Sequence, residues 1–189
     1  MVQAPTKPIT LEAFLALPET KPASEYIDGY ISQKPMPQGK HSTVQRDLTM
    51  AVEMALKPGR TGRAFPELRC TFSGRSIIPD VAVFEWGNIP REPDGIIANQ
   101  FLIPPDWAIE ILSPDQNQTK VTKKLLHCLK HGTQIGWLID PDEQTMFVYR
   151  MGFSLQVFDM EVPDETLPVP AFAADMRLTM QDMMNWLLE

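Results

Sequence analysis

A strand that is apolar on both faces is the feature that most constrains this chain. Residues 107–112 read Trp-Ala-Ile-Glu-Ile-Leu, so both rows of side chains are apolar. Such a strand has to be covered on both sides by other layers of the fold. The exception is Glu110, whose burial is unfavourable unless the carboxylate is paired, hydrogen-bonded or bound to metal. Glu110 is therefore the first candidate functional residue.

Helical and strand patterns alternate around this strand. Thr10 is typical of the N-cap of a short first helix, Asp-Gly at 28–29 predicts a hairpin, and Thr179 predicts the cap of a final helix reaching 186–188. Apolar spacing predicts helices over 41–56 and 119–131. Strands are predicted over 68–72, 77–84, 107–113, 134–139, 145–149 and 155–158. This order predicts one α/β (α+β) domain over residues 1–189, a mixed central sheet flanked by helices.

The charge of the chain argues against a protein that coats nucleic acid electrostatically. The formal net charge is −7, from 17 basic and 24 acidic residues. An enzyme acting on nucleic acid can still confine its basic side chains to one groove. No apolar run has membrane-spanning length, no signal peptide is recognisable, and two cysteines are too few for a disulfide framework. We therefore expect a cytoplasmic protein with no membrane partner.

Asp80 is the second candidate acid. It opens the apolar run 81–84, and the strand that follows along the chain carries Glu110. Consecutive strands are usually neighbours, so both carboxylates can reach one Mg²⁺ if the strand registers match. Two simpler interpretations stay open: Asp80 merely begins a strand, and Glu110 is satisfied by an arginine such as Arg69 or Arg75.

Simple geometry places Lys124 at the same height along the sheet as Glu110. From Glu110 to Ser113 the chain advances about 10 Å as a strand. A helix that packs back antiparallel covers about 7.5 Å before Lys124, which nearly cancels that advance. On a helical wheel, Lys124 is the lysine nearest the apolar side of the helix. A solvated or snorkelling lysine fits the pattern equally well.

In combination, these motifs resemble the Uma-two family of restriction-endonuclease-like proteins, within the PD-(D/E)XK nuclease superfamily. The resemblance extends from the hairpin at 25–29 to Tyr149. It is carried by Pro79-Asp80, Glu110-Ile111-Leu112-Ser113-Pro114, Lys124, Gly132 and Trp137-Leu138-Ile139-Asp140-Pro141.

The resemblance implies a restriction-endonuclease-like core that hydrolyses phosphodiester bonds. Asp80 and Glu110 would bind Mg²⁺ or Mn²⁺, and the expected substrate is nucleic acid, with DNA ahead of RNA and endonucleolytic cleavage expected. The superfamily pattern places a lysine two residues after the glutamate, where this chain has Leu112. The family resemblance points instead to Lys124, the residue that the helical wheel also selects.

Three further residues are weaker candidates. Glu25 resembles an acidic residue that the superfamily supplies from its N-terminal element, and it could complete the metal shell or be a solvated hairpin residue. Glu67 is a further possible ligand, although the neighbouring Pro66 favours a turn. His41 could contact phosphate or lie exposed at the start of its helix.

Alternatives from other classes remain at this stage. A catalytically inactive nuclease fold that serves as a binding or interaction module is the main one. A zinc site at His127 and His131 is disfavoured because both lie away from the apolar side of the helix and no second ligand pair is suitably spaced. A methionine-rich stripe near the C-terminus favours core packing over a homodimer contact.

Overall fold

The computed structural model describes residues 8–114 and 116–188. The helices are α1 (Leu11–Leu15), α2 (Gly39–Leu56), α3 (Gln118–Lys130) and α4 (Met180–Asn185). The strands are β1 (Ser24–Ile27), β2 (Tyr30–Gln33), β3 (Gly62–Pro66), β4 (Cys70–Phe72), β5 (Arg75–Ile77), β6 (Val81–Glu85), β7 (Trp107–Ile111), β8 (Ile135–Asp140), β9 (Thr145–Tyr149) and β10 (Gln156–Phe158).

The larger sheet has six strands in the order β10-β9-β8-β7-β6-β3. Strands β7 and β8 are parallel and are connected through α3, whereas the other neighbouring pairs are antiparallel. A parallel pair needs such a crossover connection, while antiparallel neighbours can be joined by short turns. The mixed central sheet with flanking helices is therefore confirmed.

Strand β7 is buried along its whole length, as its two-sided apolar pattern predicts. Ile109 and Ile111 belong to one core cluster, which also contains apolar residues of α2 and α4. Ala108 belongs to the cluster on the opposite face, with Leu125 of α3. Glu110 lies between Ala108 and Leu112 along the strand, and alternation therefore directs its side chain to the α3 face.

A second, four-stranded sheet, in the order β2-β1-β5-β4, was not predicted. The sequence pattern predicts one strand over 77–84, and this is wrong: β5 ends at Ile77 in the small sheet and β6 begins at Val81 in the large one. Pro79 lies in the break, where its missing N–H could not have joined a ladder. The chain therefore crosses between the sheets immediately before Asp80.

The C-terminal methionine stripe packs into the core. Met180, Met183 and Met184 are 1%, 0% and 5% exposed and belong to the cluster on the α2 face of the large sheet. The core-packing interpretation is thus confirmed. Among the described residues, no helix is long and apolar enough to cross a membrane.

Candidate active site

Asp80 and Glu110 meet at the edge of the β6–β7 ladder. The antiparallel register pairs Val81 with Ile109 and Ala82 with Ala108. Continuing it by one residue sets Asp80 opposite Glu110. Both acids are 1% exposed. Two buried carboxylates therefore lie next to each other at the ends of adjacent strands.

Asp80 is held by three donors. Its Oδ1 accepts a hydrogen bond from Lys34 Nζ at 2.6 Å, and its Oδ2 accepts one from the backbone N–H of Ile111 at 2.7 Å. His41 Nε2 lies 3.3 Å from Oδ2. Burial by itself raises the pKa of Asp80, but Lys34 and His41 outweigh it and hold the pKa well below its ordinary value. Asp80 is therefore ionised at neutral pH.

Glu110 has far fewer partners. Its Oε1 forms an ion pair with Lys124 Nζ at 2.9 Å, and within residues 8–114 and 116–188 its Oε2 has no hydrogen-bond partner. Burial raises the pKa of Glu110 to about 8, against the opposing charge of Lys124 and with a further increase from Asp80. Glu110 is thus a buried acid whose charge is only partly compensated.

Lys124 and Glu25 complete the cluster. Glu25 Oε1 accepts hydrogen bonds from Lys124 Nζ at 2.9 Å and from the Ile78 backbone N–H at 2.7 Å. Burial lowers the pKa of Lys124, but the carboxylates of Glu110 and Glu25 more than offset this and raise it above the ordinary value. Lys124 therefore keeps its charge, and of the Glu110–Lys124 pair it is Glu110 that titrates.

The backbone between the two sheets is fixed by the same side chains. Ile78 donates its N–H to Glu25 and accepts a hydrogen bond from Lys34 Nζ at 3.0 Å. The carbonyl of Asp80 accepts from Gln45 Nε2 at 2.8 Å. These contacts position Asp80 at the point where the chain enters β6.

An arginine does not satisfy Glu110. Arg69 donates to Glu19 at 2.8 Å, and Arg75 donates to Asp28 at 2.6 Å. The simpler interpretation, in which one of these arginines neutralises Glu110, is therefore wrong. The arrangement that would have favoured an inactive module, an arginine on Glu110 with Asp80 turned away, is not found among the described residues.

The donor set fits a divalent cation in part. Within the described part of the chain, no three His, Cys, Asp or Glu side chains already form a metal-binding group, since lysines lie among the carboxylates. The Oε2 of Glu110 is nevertheless a buried oxygen without a partner, next to the ionised Asp80. Hard carboxylate oxygens of this kind are what Mg²⁺ and Mn²⁺ prefer, with water filling the other positions.

The two weaker candidates Glu67 and His41 lie in different environments. Glu67 is exposed in a turn with φ 49°, and only its backbone N–H reaches the site, donating to the Asp80 carbonyl at 3.1 Å. His41 is buried against Asp80 and is not exposed. The zinc alternative gains no support, because among the described residues no three His, Cys, Asp or Glu side chains form a group that could hold a metal, and His131 Nδ1 is hydrogen-bonded to the His127 carbonyl at 2.8 Å.

Lys34 and Gln45 were missed by sequence reasoning. Lys34 follows an exposed edge strand and precedes a proline, a pattern typical of a solvated lysine. Gln45 lies on α2 among residues of mixed polarity. Only the path of the chain between the two sheets brings them to Asp80, and no local signal marks them.

Comparison with known proteins identifies the family. The model of Uma2, described as "Putative restriction endonuclease", matches residues 11–181. The crystal structure of a putative nuclease belonging to DUF820 from Anabaena variabilis is 62% identical, with a TM-score of 0.93 over 95% of this chain and 99% of that chain.

The remaining comparisons are a more distant solved structure and the curated proteins. A cryo-EM structure of a DrdV–DNA complex is 15% identical, with a TM-score of 0.38 over 64% of this chain and 10% of that chain. A TM-score this low does not establish a shared fold. A search of curated proteins finds no match. The resemblance inferred from the motifs is confirmed by the family match over 11–181, and the chain belongs to the Uma2 family of restriction-endonuclease-like proteins.

Proposed function

We propose that this protein is a metal-dependent nuclease that hydrolyses phosphodiester bonds, with DNA as the expected substrate and internal cleavage as the expected mode. One observation carries the proposal: Glu110 is buried with an unpartnered oxygen, beside the ionised Asp80 and the charged Lys124. A buried acid so poorly compensated is costly to the fold, and perturbed groups of this kind cluster at functional sites.

Asp80 and Glu110 are the residues that would hold Mg²⁺ or Mn²⁺. When bound, the cation supplies polarisation of the phosphate and a lower pKa for the attacking water. Asp80 is already ionised and fixed by Lys34, so it offers a rigid oxygen ligand. Glu110 offers its free Oε2 after losing its proton.

Lys124 contributes a fixed positive charge next to the carboxylates. It donates to Glu25, which orients its ammonium group, and it keeps its proton because acids surround it. As the water oxygen bonds to phosphorus it gives up a proton to solvent, and the leaving oxygen takes up a proton from solvent as its bond to phosphorus breaks. Negative charge grows on the phosphate between these two events. An ammonium group held in a dry setting stabilises that charge without reorganising.

The test compares cleavage by the wild type with Asp80→Ala, Glu110→Ala and the isosteric Glu110→Gln. Single- and double-stranded DNA and RNA are incubated with Mg²⁺, Mn²⁺ or a chelator. We expect cleavage only with metal, and its loss in all three variants.

Glu67→Gln provides a matched acidic control, because the Glu67 side chain is exposed outside the buried cluster. It should keep wild-type activity, and a loss of activity in this variant would identify Glu67 as a further ligand. Activity of equal size in Glu110→Gln and wild type would exclude this site. Metal-independent binding without cleavage would instead favour the inactive module.

A further inference from the structure

A cleft of about 480 Å³ opens beside the buried cluster, between the β1–β2 hairpin and α3. Glu25, Lys34 and Lys124 form part of its lining, so the cleft leads directly to the candidate active site. Its volume suits a ligand of nucleotide size. A double helix, whose major groove alone admits a whole α-helix, is too wide to enter it.

The cleft is cationic in an acidic protein. Five basic side chains line it against two carboxylates, although acids outnumber bases by 24 to 17 in the whole chain. The basic residues are Lys34, Arg75, Lys120, Lys123 and Lys124.

Two of these five basic side chains, Lys120 and Lys123, remain available to bind a ligand. Lys34 and Lys124 bind the carboxylates of the cluster, and Arg75 is paired with Asp28. Lys120 and Lys123 are exposed on the first turns of α3, and among the described residues neither forms an ion pair. Lys120 lies about one helical turn before Lys124, on the same side of the helix. A row of positive charge therefore leads from the cleft mouth to the buried ammonium group.

The opposite wall offers an exposed aromatic ring. Tyr30 is 47% exposed and lies opposite Ile27 in the hairpin, while Ser32 lies opposite Glu25. Directly opposed residues project from the same face of a hairpin, so all four share the wall that faces α3. An exposed ring opposite a row of lysines is the combination that binds single-stranded nucleic acid, through base stacking and backbone charge.

We propose that this cleft binds a single-stranded segment of nucleic acid, with its phosphates on Lys120 and Lys123 and one base against Tyr30. The inference rests on the proposed nuclease function for the identity of the ligand as a nucleic acid. It goes further by stating the form in which the substrate enters: one strand, guided along α3 towards Lys124.

The test measures binding without cleavage. Fluorescence anisotropy of a labelled oligonucleotide, as single strand and as duplex, is recorded with the full chain and a chelator across a series of salt concentrations. The wild type should prefer the single strand. For Lys120→Gln and Lys123→Gln, the slope of log affinity against log salt should become shallower by about 0.7 for each lysine.

Matched variants separate stacking from charge and from helix stability. Tyr30→Ser should weaken single-strand binding on the order of tenfold, and Tyr30→Phe should retain it. Lys130→Gln removes an exposed lysine from the end of the same helix, outside the cleft, and should leave the slope unchanged.

Two results would overturn the inference: affinities of Lys120→Gln and Lys123→Gln equal to that of Lys130→Gln, or a duplex bound as tightly as the single strand. Because binding is measured without metal, it can fail or succeed independently of cleavage. If the variants still cleave nucleic acid and bind it as tightly as the wild type, the inference about the cleft is wrong and the proposed nuclease function stands. If binding follows the expected pattern but no protein cleaves nucleic acid, the proposed nuclease function is wrong and the inference about the cleft stands.

Discussion

At the scale of single residues, Lys124 is the charge that makes the buried acids tolerable. Its ammonium group pairs with Glu25 and Glu110 at 2.9 Å each. Lys124→Met would leave both carboxylates buried without it, and breaking a buried pair in this way costs about 3–5 kcal/mol. We expect the free energy of unfolding, measured by urea denaturation, to decrease by this order.

The neighbouring lysine provides the control. Lys123→Met changes an exposed position one residue earlier and should alter stability by no more than about 0.5 kcal/mol. The double variant Lys124→Met/Glu25→Gln should recover part of the loss, since it removes the other carboxylate that Lys124 hydrogen-bonds. Equal stability of Lys124→Met and Lys123→Met would show that the ion pairs contribute nothing.

The raised pKa of Glu110 makes metal binding depend on pH. From its ordinary value of 4.5 up to about 8, the folded protein holds Glu110 protonated, so a cation must displace that proton. Apparent affinity should therefore increase as pH rises and level off above about 8. Calorimetric titration with Mn²⁺ in buffers of different ionisation enthalpy should detect the released proton near neutral pH.

Glu110→Gln has no proton to release at this position. Its residual Mn²⁺ binding, measured in the same way, should be weaker and should lack the proton release. Release of the same size in this variant would assign the proton to another group.

The sequence allowed the candidate acids and Lys124 to be predicted for reasons that are local. Glu110 stands out because it interrupts an apolar strand, and Lys124 because it flanks the apolar side of its helix. Lys34 could not be found in this way, since its contact with Asp80 joins residues far apart along the chain. The position of His41 stayed open because burial at a helix start is decided by what packs over it.

At the scale of secondary structure elements, Gly62 allows β3 to approach its neighbours. A Cβ at Gly62 would lie 2.8 Å from the Phe84 carbonyl oxygen and 3.0 Å from Leu56 Cδ1. Gly62→Ala should lower the free energy of unfolding by about 1–3 kcal/mol, because the paired backbone cannot give way. Chemical denaturation measures the change.

Gly39→Ala is the matching substitution at the start of α2. A Cβ there meets nothing within 4 Å, and alanine favours a helix over glycine. This variant should be as stable as the wild type or slightly more so. If both variants behaved alike, close packing around β3 would not explain the glycine.

Strands were predicted well where one local pattern governs a whole element. The range 145–149 matches β9, and β7 was placed within two residues of its end. Strand β3 was missed because its five residues begin with a glycine and end with a proline, and both residue types are typical of loops. The break between β5 and β6 was missed because both segments are apolar, and the chain changes sheets within that run.

At the scale of the whole molecule, a bound cation should stabilise the fold. A ligand that binds only the native state adds about 2.7 kcal/mol at a concentration one hundredfold above its Kd. We expect the thermal midpoint of the wild type to rise with Mn²⁺ and to return with excess chelator. Differential scanning fluorimetry on the wild type and Glu110→Gln measures this, and an equal rise in both would point to other binding positions.

The hydrogen bond from Ile111 to Asp80 has a consequence for how such a protein could change over generations. The Asp80 carboxylate accepts this bond from the backbone of β7 just before β6 begins, so it joins the two strands whether or not the protein cleaves nucleic acid. Glu110, whose Oε2 has no hydrogen-bond partner among the described residues, does not stabilise the fold in a comparable way. In homologues that have lost cleavage activity, we expect Glu110 to be substituted first and Asp80 to be retained for its structural role.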